Sequence, residues 1–327
     1  MDRNIQSQLF FSLRGIAIIS VAFAHSLSFP DGLYQRIGAA IGILGVPIFL
    51  FCSGYYHKQL SWNELNRKLT AGIIIPWLIW GTFAFFISYI LGAVSCNLQS
   101  FFAFIVGHKT WLYYIPVYLI IRIIFNIGNV CRRPVFLSAA IAISIVSGLV
   151  SFAPPREIAF GLNWLTPWQN PLNWAGFFSL GIIFKQYDLL GKIKNLKLIG
   201  GITIFVIFIL SLLTLIFTDL KINYWNPYGI ILNYASIAII PFMIFIHKIG
   251  VLVTLGRYSY LIYLLHIQIG IALTNIIYRI ISPSDLFTLL TKPFVVLAVT
   301  MILIMALKYG LALLKLIRLD KYVGIPS

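Results

Sequence analysis

The stretch FFSLRGIAIISVAFAHSLSFP, Phe10 to Pro30, decides how the rest of the chain is read. It is apolar and matches the roughly 20 residues that cross a bilayer as a helix. Yet it holds Arg14 near its start and His25 near its end. His25 follows Arg14 by eleven positions, which in an α-helix is about 1100° of rotation, three turns plus about 20°, and about 16 Å of rise. Both side chains therefore fall on one stripe. Ionisable groups at membrane depth are costly, so such a stripe faces the protein interior or an aqueous cavity. The expectation is one polar tunnel beside the first helix, with a guanidinium at its inner mouth and an imidazole beyond mid-span. The plainer alternatives are that Arg14 snorkels to the membrane edge and that His25 is satisfied by a neighbouring helix.

The 327 residues are 60% hydrophobic and 10% charged, with a mean hydropathy of +0.95, far from the balance of about 25% charged residues in soluble proteins. The chain reads as an all-α polytopic bundle, a single integral-membrane domain over 1–327 with no soluble appended domain. Ten spans are expected: 10–29, 36–56, 70–92, 111–127, 134–152, 171–187, 197–217, 228–247, 258–280 and 293–316. The first lacks a small-residue cleavage signal behind it and reads as a retained helix rather than a signal peptide. Within "NLQSFFAFIVGHKTWLYY", residues 101–106 are too short to span and read as an interfacial or re-entrant piece. No internal repeat or low-complexity segment is evident.

Basic residues alternate between the two faces very unequally. Connectors on the N-terminal side hold Lys58, Arg67, Lys68, Arg132, Arg133, Lys185, Lys192, Lys194, Lys197, Lys248, Arg257, Arg318 and Lys321. The opposite side holds Arg36, Arg156, Lys221 and Lys292, with Lys109 if its segment dips in from outside. The positive-inside rule then puts both termini in the cytoplasm (N-in, C-in). The +16 net charge is scattered over loops rather than clustered on one face, so the partner it implies is the lipid bilayer and not nucleic acid. Cys52, Cys96 and Cys131 are too dispersed for a disulfide framework or a metal site.

All eight acidic residues fall in the connectors or tails. Proton-coupled transporters commonly carry a buried carboxylate and most glycosidases a carboxylate pair, so both classes lose weight. What remains at membrane depth for proton chemistry is histidine: His25, and His266 about 11 residues into the ninth span. Tyr263 and Ser259 precede His266 by three and seven residues and share its helix face. They line its cavity or simply pack helices together. His57, His108 and His247 lie near span ends and are given no role. An arginine and an imidazole along one stripe suit an extended ligand with an anionic end and a reactive end, the shape of an acyl-coenzyme A.

Four stretches carry a resemblance: arginine, ten residues, histidine in the first span; PIFLFCSGYY at Pro47 to Tyr56; TWLYYIPVYL from Thr110; and LGRYSYLIYLLH at Leu255 to His266. Together, in this order, they resemble the motifs of the acyltransferase-3 family of membrane O-acyltransferases. The resemblance implies transfer of an acyl group, most often acetyl, from cytoplasmic acetyl-CoA (acyl-CoA) to a hydroxyl of a surface polysaccharide or its lipid-linked oligosaccharide precursor, in a bacterial-type cytoplasmic membrane and with no metal. An alcohol is a poor nucleophile near neutral pH without a base. His25 is accordingly expected as general base, or as a transient acyl carrier, with His266 beside it. Arg14, helped by Arg67 and Lys68, is expected to hold cofactor phosphate.

On the substrate side Ser53, Tyr55, Trp111, Tyr263 and Trp168 are expected to contribute, although small residues such as Ser53 and Gly54 also serve close helix packing. The outer connectors carry Trp164, Trp168, Trp174, Tyr224, Trp225 and Tyr228, suited either to sugar stacking or to a membrane aromatic belt. The family pattern has two basic residues a turn apart before the third-span proline. Here Arg67 and Lys68 are adjacent, and Gly72 stands where the second is expected. With no extracytoplasmic domain after the tenth span, the chain is expected to work alone or with a separate partner. The rival reading is a transporter that exports a glycan or small acid through the same tunnel.

Overall fold

The computed structural model describes residues 2–27, 32–108, 110–128, 133–152, 166–192, 198–218, 222–314 and 319–326. Lys109, Cys131, Arg132, Arg156, Trp164, Lys194, Lys197, Lys221 and Arg318, and the Lys321 side chain, lie outside them.

In order the helices are α1 (Arg3–Ser26), α2 (Leu33–Gly42), α3 (Gly45–Tyr55), α4 (Trp62–Leu69), α5 (Ile75–Ile90), α6 (Leu98–Ile105), α7 (Tyr114–Ile124) and α8 (Pro134–Phe152). They continue with α9 (Leu172–Gln186), α10 (Leu189–Lys192), α11 (Leu198–Phe217), α12 (Pro227–Ala238), α13 (Gly250–Leu265), α14 (Ala272–Ile281), α15 (Asp285–Leu313) and α16 (Asp320–Val323). π-helical segments join α4 to α5 (Thr70–Ile74) and α13 to α14 (His266–Ile271), and a 3-10 segment (Ile240–Lys248) follows α12. No strand occurs among the described residues.

Many starts are written locally, because the first N–H groups of a helix need acceptors. Ser61 takes the Glu64 amide at 3.3 Å, Asn97 takes Ser100 at 2.8 Å, Asn226 takes Tyr228 at 2.9 Å with Pro227 behind it, and Ser284 takes Phe287 at 3.4 Å. At the other pole, Arg36 donates to the Leu215 and Ile216 carbonyls (2.7 and 2.6 Å) and to that of Thr218, closing the carbonyl end of α11.

Each of the ten expected spans overlaps described helix, but α13 and α15 start eight residues before the ninth and tenth expected spans. Among the described residues, seven helical stretches are long and apolar enough to cross a membrane, or eight if the pair Pro227–Ala238 and Ile240–Lys248, bent by 58°, is one broken span. The helix at Trp111–Ile124 is apolar but shorter, and α9 has 15 residues, mostly buried. Residues 98–105 form a short helix that does not span, as expected of that piece. Glu64 and Asp285, expected in connectors, instead occupy helix first turns, where a negative charge meets the positive pole of the peptide dipoles.

α1 is the hub, packed against α2, α3, α13 and α15. Its tightest neighbour is α13, and glycine allows the approach. A Cβ on Gly15 would enter the Leu252 carbonyl, and one on Gly256 would enter the Phe11 carbonyl. This crossing aligns the two helices so that His25 and His266 end beside one another.

Candidate functional site

The stripe on α1 opens into two cavities, not one. Arg14 lines a cavity of about 260 Å³ with Val21, Ser53, Tyr114, Tyr118, Ile115, Ser259, Tyr260 and Tyr263. His25 lines another of about 950 Å³, made with Ser88, Ser95, Ser100, His108, Thr110, Trp111, Tyr113, Thr166, Trp168, Asn223 and Tyr224. The single tunnel expected from the spacing is thus not seen as one cavity lined by both residues. The Tyr263 hydroxyl donates to the Trp111 carbonyl, its ring meets that of Tyr114 at 5.6 Å, and Val21 is buried one turn before His25.

Arg14 is half-buried, and no hydrogen bond or ion pair to it forms among the described residues. No acidic residue lines its cavity. A guanidinium left so in a low-dielectric wall is a site for an anion. Gly72, where the family pattern places a second cation, lines this cavity. Arg67 and Lys68 do not line it. They are exposed on α4, and Lys68 pairs with Glu64 at 2.7 Å.

His25 is exposed, and the space it meets is the larger cavity. Its ring centroid lies 5.4 Å from that of the fully buried His266. His266 opens a π-helical segment, a break in the regular helix that often marks a functional position. Its Nδ1 is 2.7 Å from the Tyr263 carbonyl oxygen. A carbonyl only accepts, so Nδ1 carries the proton and Nε2 is left as the basic nitrogen. That Nε2 is buried with no hydrogen-bond partner.

Of the other expected residues, Trp111 and Trp168 line the His25 cavity, while Ser53 and Tyr263 line the Arg14 cavity. The Ser53 hydroxyl donates to Phe49 O at 2.9 Å, and Gly54 lies against the Phe178 carbonyl, serving close packing. Tyr55 lines neither cavity. It is 2% exposed, its hydroxyl is bound by Gln6, and the Lys185 ammonium sits 4.9 Å above its ring. Trp174 and Trp225 form neither a sugar platform nor a membrane belt, for they are buried in the core and meet edge-on at 4.7 Å.

Trp168 is held in place by a buried polar network. Trp174 Nε1 donates to the Trp168 carbonyl at 2.8 Å, and Asn173 Nδ2 donates to the Pro167 carbonyl at 3.0 Å and to Ser151 Oγ at 3.1 Å. Ser144 Oγ in turn donates to the Asn173 carbonyl at 2.7 Å.

Sequence reasoning missed most of the His25 cavity wall: Ser88, Ser95, Ser100, His108, Thr110, Thr166 and Asn223. The one available signal was the non-spanning segment before Trp111, since irregular backbone at membrane depth is tolerated where it lines a cavity. Among the described residues this wall carries hydroxyls, an amide, imidazoles and aromatic rings but no Asp, Glu, Lys or Arg. No group of His, Cys, Asp and Glu able to hold a metal occurs among the described residues.

A family model described as an acyltransferase domain matches residues 12–312 of this chain. No curated protein and no solved structure matches it.

Proposed function

The chain belongs to the acyltransferase-3 family, and from that premise we propose that it transfers a short acyl group, acetyl in the simplest case, from acyl-CoA to a hydroxyl of an envelope polysaccharide or its lipid-linked precursor. The setting proposed is a bacterial-type cytoplasmic membrane with both termini inside, so that the Arg14 cavity serves the cytoplasmic donor and the His25 cavity the outer acceptor. The observation that carries the reading is the imidazole of His25 standing in a large cavity of neutral polar and aromatic groups, beside a second imidazole whose tautomer is fixed by the Tyr263 carbonyl.

In the proposed step His25 takes the proton of the acceptor hydroxyl as its oxygen attacks the thioester carbonyl carbon. The tetrahedral adduct collapses, the C–S bond breaks, and the imidazolium returns the proton to the departing thiolate. The products are an ester and free coenzyme A. His266 offers Nε2 as the acceptor beside the His25 ring and steadies its protonated form. Arg14 holds donor phosphate by charge-assisted hydrogen bonds, with Arg67 and Lys68 adding attraction at the rim. A cavity of about 260 Å³ lies below the usual ligand-pocket range of roughly 300–1,000 Å³. It therefore suits the slender thiol-bearing arm, with the pyrophosphate at Arg14 and the adenosine held outside.

The test is acyl transfer by membrane fractions. His25→Ala is expected to lose about 10²-fold or more of the rate, the usual contribution of a positioned base, with donor binding retained. Transfer at the wild-type rate would remove the proposal.

A further inference from the structure

Serine hydroxyls on these helices are commonly spent on their own backbone. Ser20 Oγ donates to the Ile16 carbonyl at 3.1 Å, Ser53 Oγ to that of Phe49 at 2.9 Å and Ser179 Oγ to that of Ala175 at 3.0 Å, the bond a helical serine makes to the residue four before it. Ser88 on α5 departs from this pattern. It is 6% exposed and lines the His25 cavity. Among the described residues its hydroxyl makes no bond back to α5, and its oxygen instead accepts Gln268 Nε2 at 3.1 Å. Because that oxygen is held by an N–H, the hydroxyl proton remains to be given. Other polar groups of the same wall are already occupied. Thr110 Oγ1 donates to the Phe104 carbonyl at 3.1 Å, Thr166 Oγ1 to Gln169 Oε1 at 3.0 Å, and Asn223 Oδ1 accepts the Trp225 and Asn226 amides at 2.9 and 2.7 Å.

Gln268 belongs to the π-helical segment that opens at His266. Three consecutive residues there serve the cavity: His266 stands beside His25, 5.4 Å between ring centroids, Ile267 lines the wall, and Gln268 holds Ser88. The proposed base and the hydroxyl with a proton to give are thus anchored two positions apart on one short segment and line one cavity. We propose that Ser88 donates a hydrogen bond to an oxygen of the acceptor glycan, and that Gln268 is the positioning residue that keeps this hydroxyl from turning back to its own helix. The inference rests on the acceptor assignment made above and names side chains that hold the acceptor in reach of His25. Hydrogen bonds in series polarise one another, so the amide makes the Ser88 O–H a better donor. A buried hydroxyl whose proton finds no partner is costly, and a bound sugar oxygen removes that cost.

The experiment uses the full chain in reconstituted membranes, with acetyl-CoA as donor. The acceptor is envelope glycan extracted from cells lacking the protein, lipid-linked forms included. The readout is KM for each substrate, which does not depend on how much of the protein has folded. Ser88→Ala is expected to raise the acceptor KM about 3–10-fold, the worth of one neutral hydrogen bond, with the donor KM unchanged. Gln268→Glu keeps the shape of the side chain, but an ionised carboxylate only accepts. It therefore draws the Ser88 proton to itself and is expected to raise the acceptor KM as much. The double variant is expected to do no more than Ser88→Ala alone, because both changes remove the same bond. A wild-type acceptor KM in Ser88→Ala, or an equal rise in its donor KM, overturns the proposal. A wild-type acceptor KM in Gln268→Glu, or additive effects in the double variant, overturns the part given to Gln268. No transfer to that glycan by the wild type overturns the proposed function, and the role of Ser88 with it.

Discussion

Arg14 bears a charge that nothing in its cavity answers. No acidic residue lines that space, and the ion pair found among the described residues, Lys68 with Glu64, is elsewhere on the surface. A snorkelling arginine would reach along a lipid-facing side to the membrane edge. This one lines a cavity inside the bundle, between α1, α3, α7 and α13. A charged hydrogen bond from guanidinium to phosphate is worth about 1.5–3 kcal/mol, or roughly 10–150-fold in binding. Arg14→Gln is therefore expected to raise the donor KM by at least about tenfold and to leave the acceptor KM unchanged. Steady-state rates with each substrate varied in turn check this, and an equal rise in both constants would count against a donor role. The helical interval from Arg14 to His25 made this residue legible from sequence, because angle and rise follow from residue number alone. That the two residues line different cavities was not legible. The Arg14 cavity includes a tyrosine 242 residues further along than Val21, delivered there by the packing of α13 on α1.

At the scale of elements, the site exists because two helices cross closely enough to set two imidazoles side by side. Gly15 and Gly256 allow that crossing, each lying against a backbone carbonyl of the other helix. Small residues at such contacts are how helices associate where lipid removes the hydrophobic drive. Gly256→Ala puts a methyl group into the Phe11 carbonyl and must part α1 from α13. It is expected to cost roughly 1–3 kcal/mol, the usual range for overpacking, and to lower acyl transfer well beyond what reduced protein amount explains. Thermal unfolding in detergent, alongside rate per folded molecule, tests this; a normal rate per folded molecule would show that the crossing does not govern the histidine pair. Most spans were legible because run length reports membrane thickness directly. Their breaks were not. Pro241 announces trouble in its span, but the 58° bend and the non-helical Met243 are outcomes of packing. The π segment opening at His266 likewise has no signature in residue type.

At the scale of the whole molecule, α1 belongs to three apolar cores. Leu9, Phe10, Leu13 and Ala17 enter one, Ile18, Val21 and Ala22 enter a second, and Phe23 enters a third with Leu27 and Leu289. On α1 the Arg14 cavity is lined at mid-helix by Arg14 and further on by Val21, and the His25 cavity near the helix end by Ala24 and His25; α1, with 24 residues, is about 36 Å long. The larger cavity was the least legible part, since its wall comes from segments far apart in sequence, at residues 88–113, 166–168 and 222–224, that meet only in the assembled bundle. Under the proposed function its position has a consequence that no single residue carries: donor and acceptor would be met from opposite sides of the membrane. In sealed vesicles of defined orientation, a membrane-impermeant hydroxyl acceptor placed on the His25 side should be acylated only by donor supplied on the Arg14 side. Supplying both on one side should give little product until the vesicles are permeabilised, because no one cavity is lined by both Arg14 and His25. Equal product from same-side and opposite-side addition in intact vesicles would mean that the two cavities do not divide the reaction.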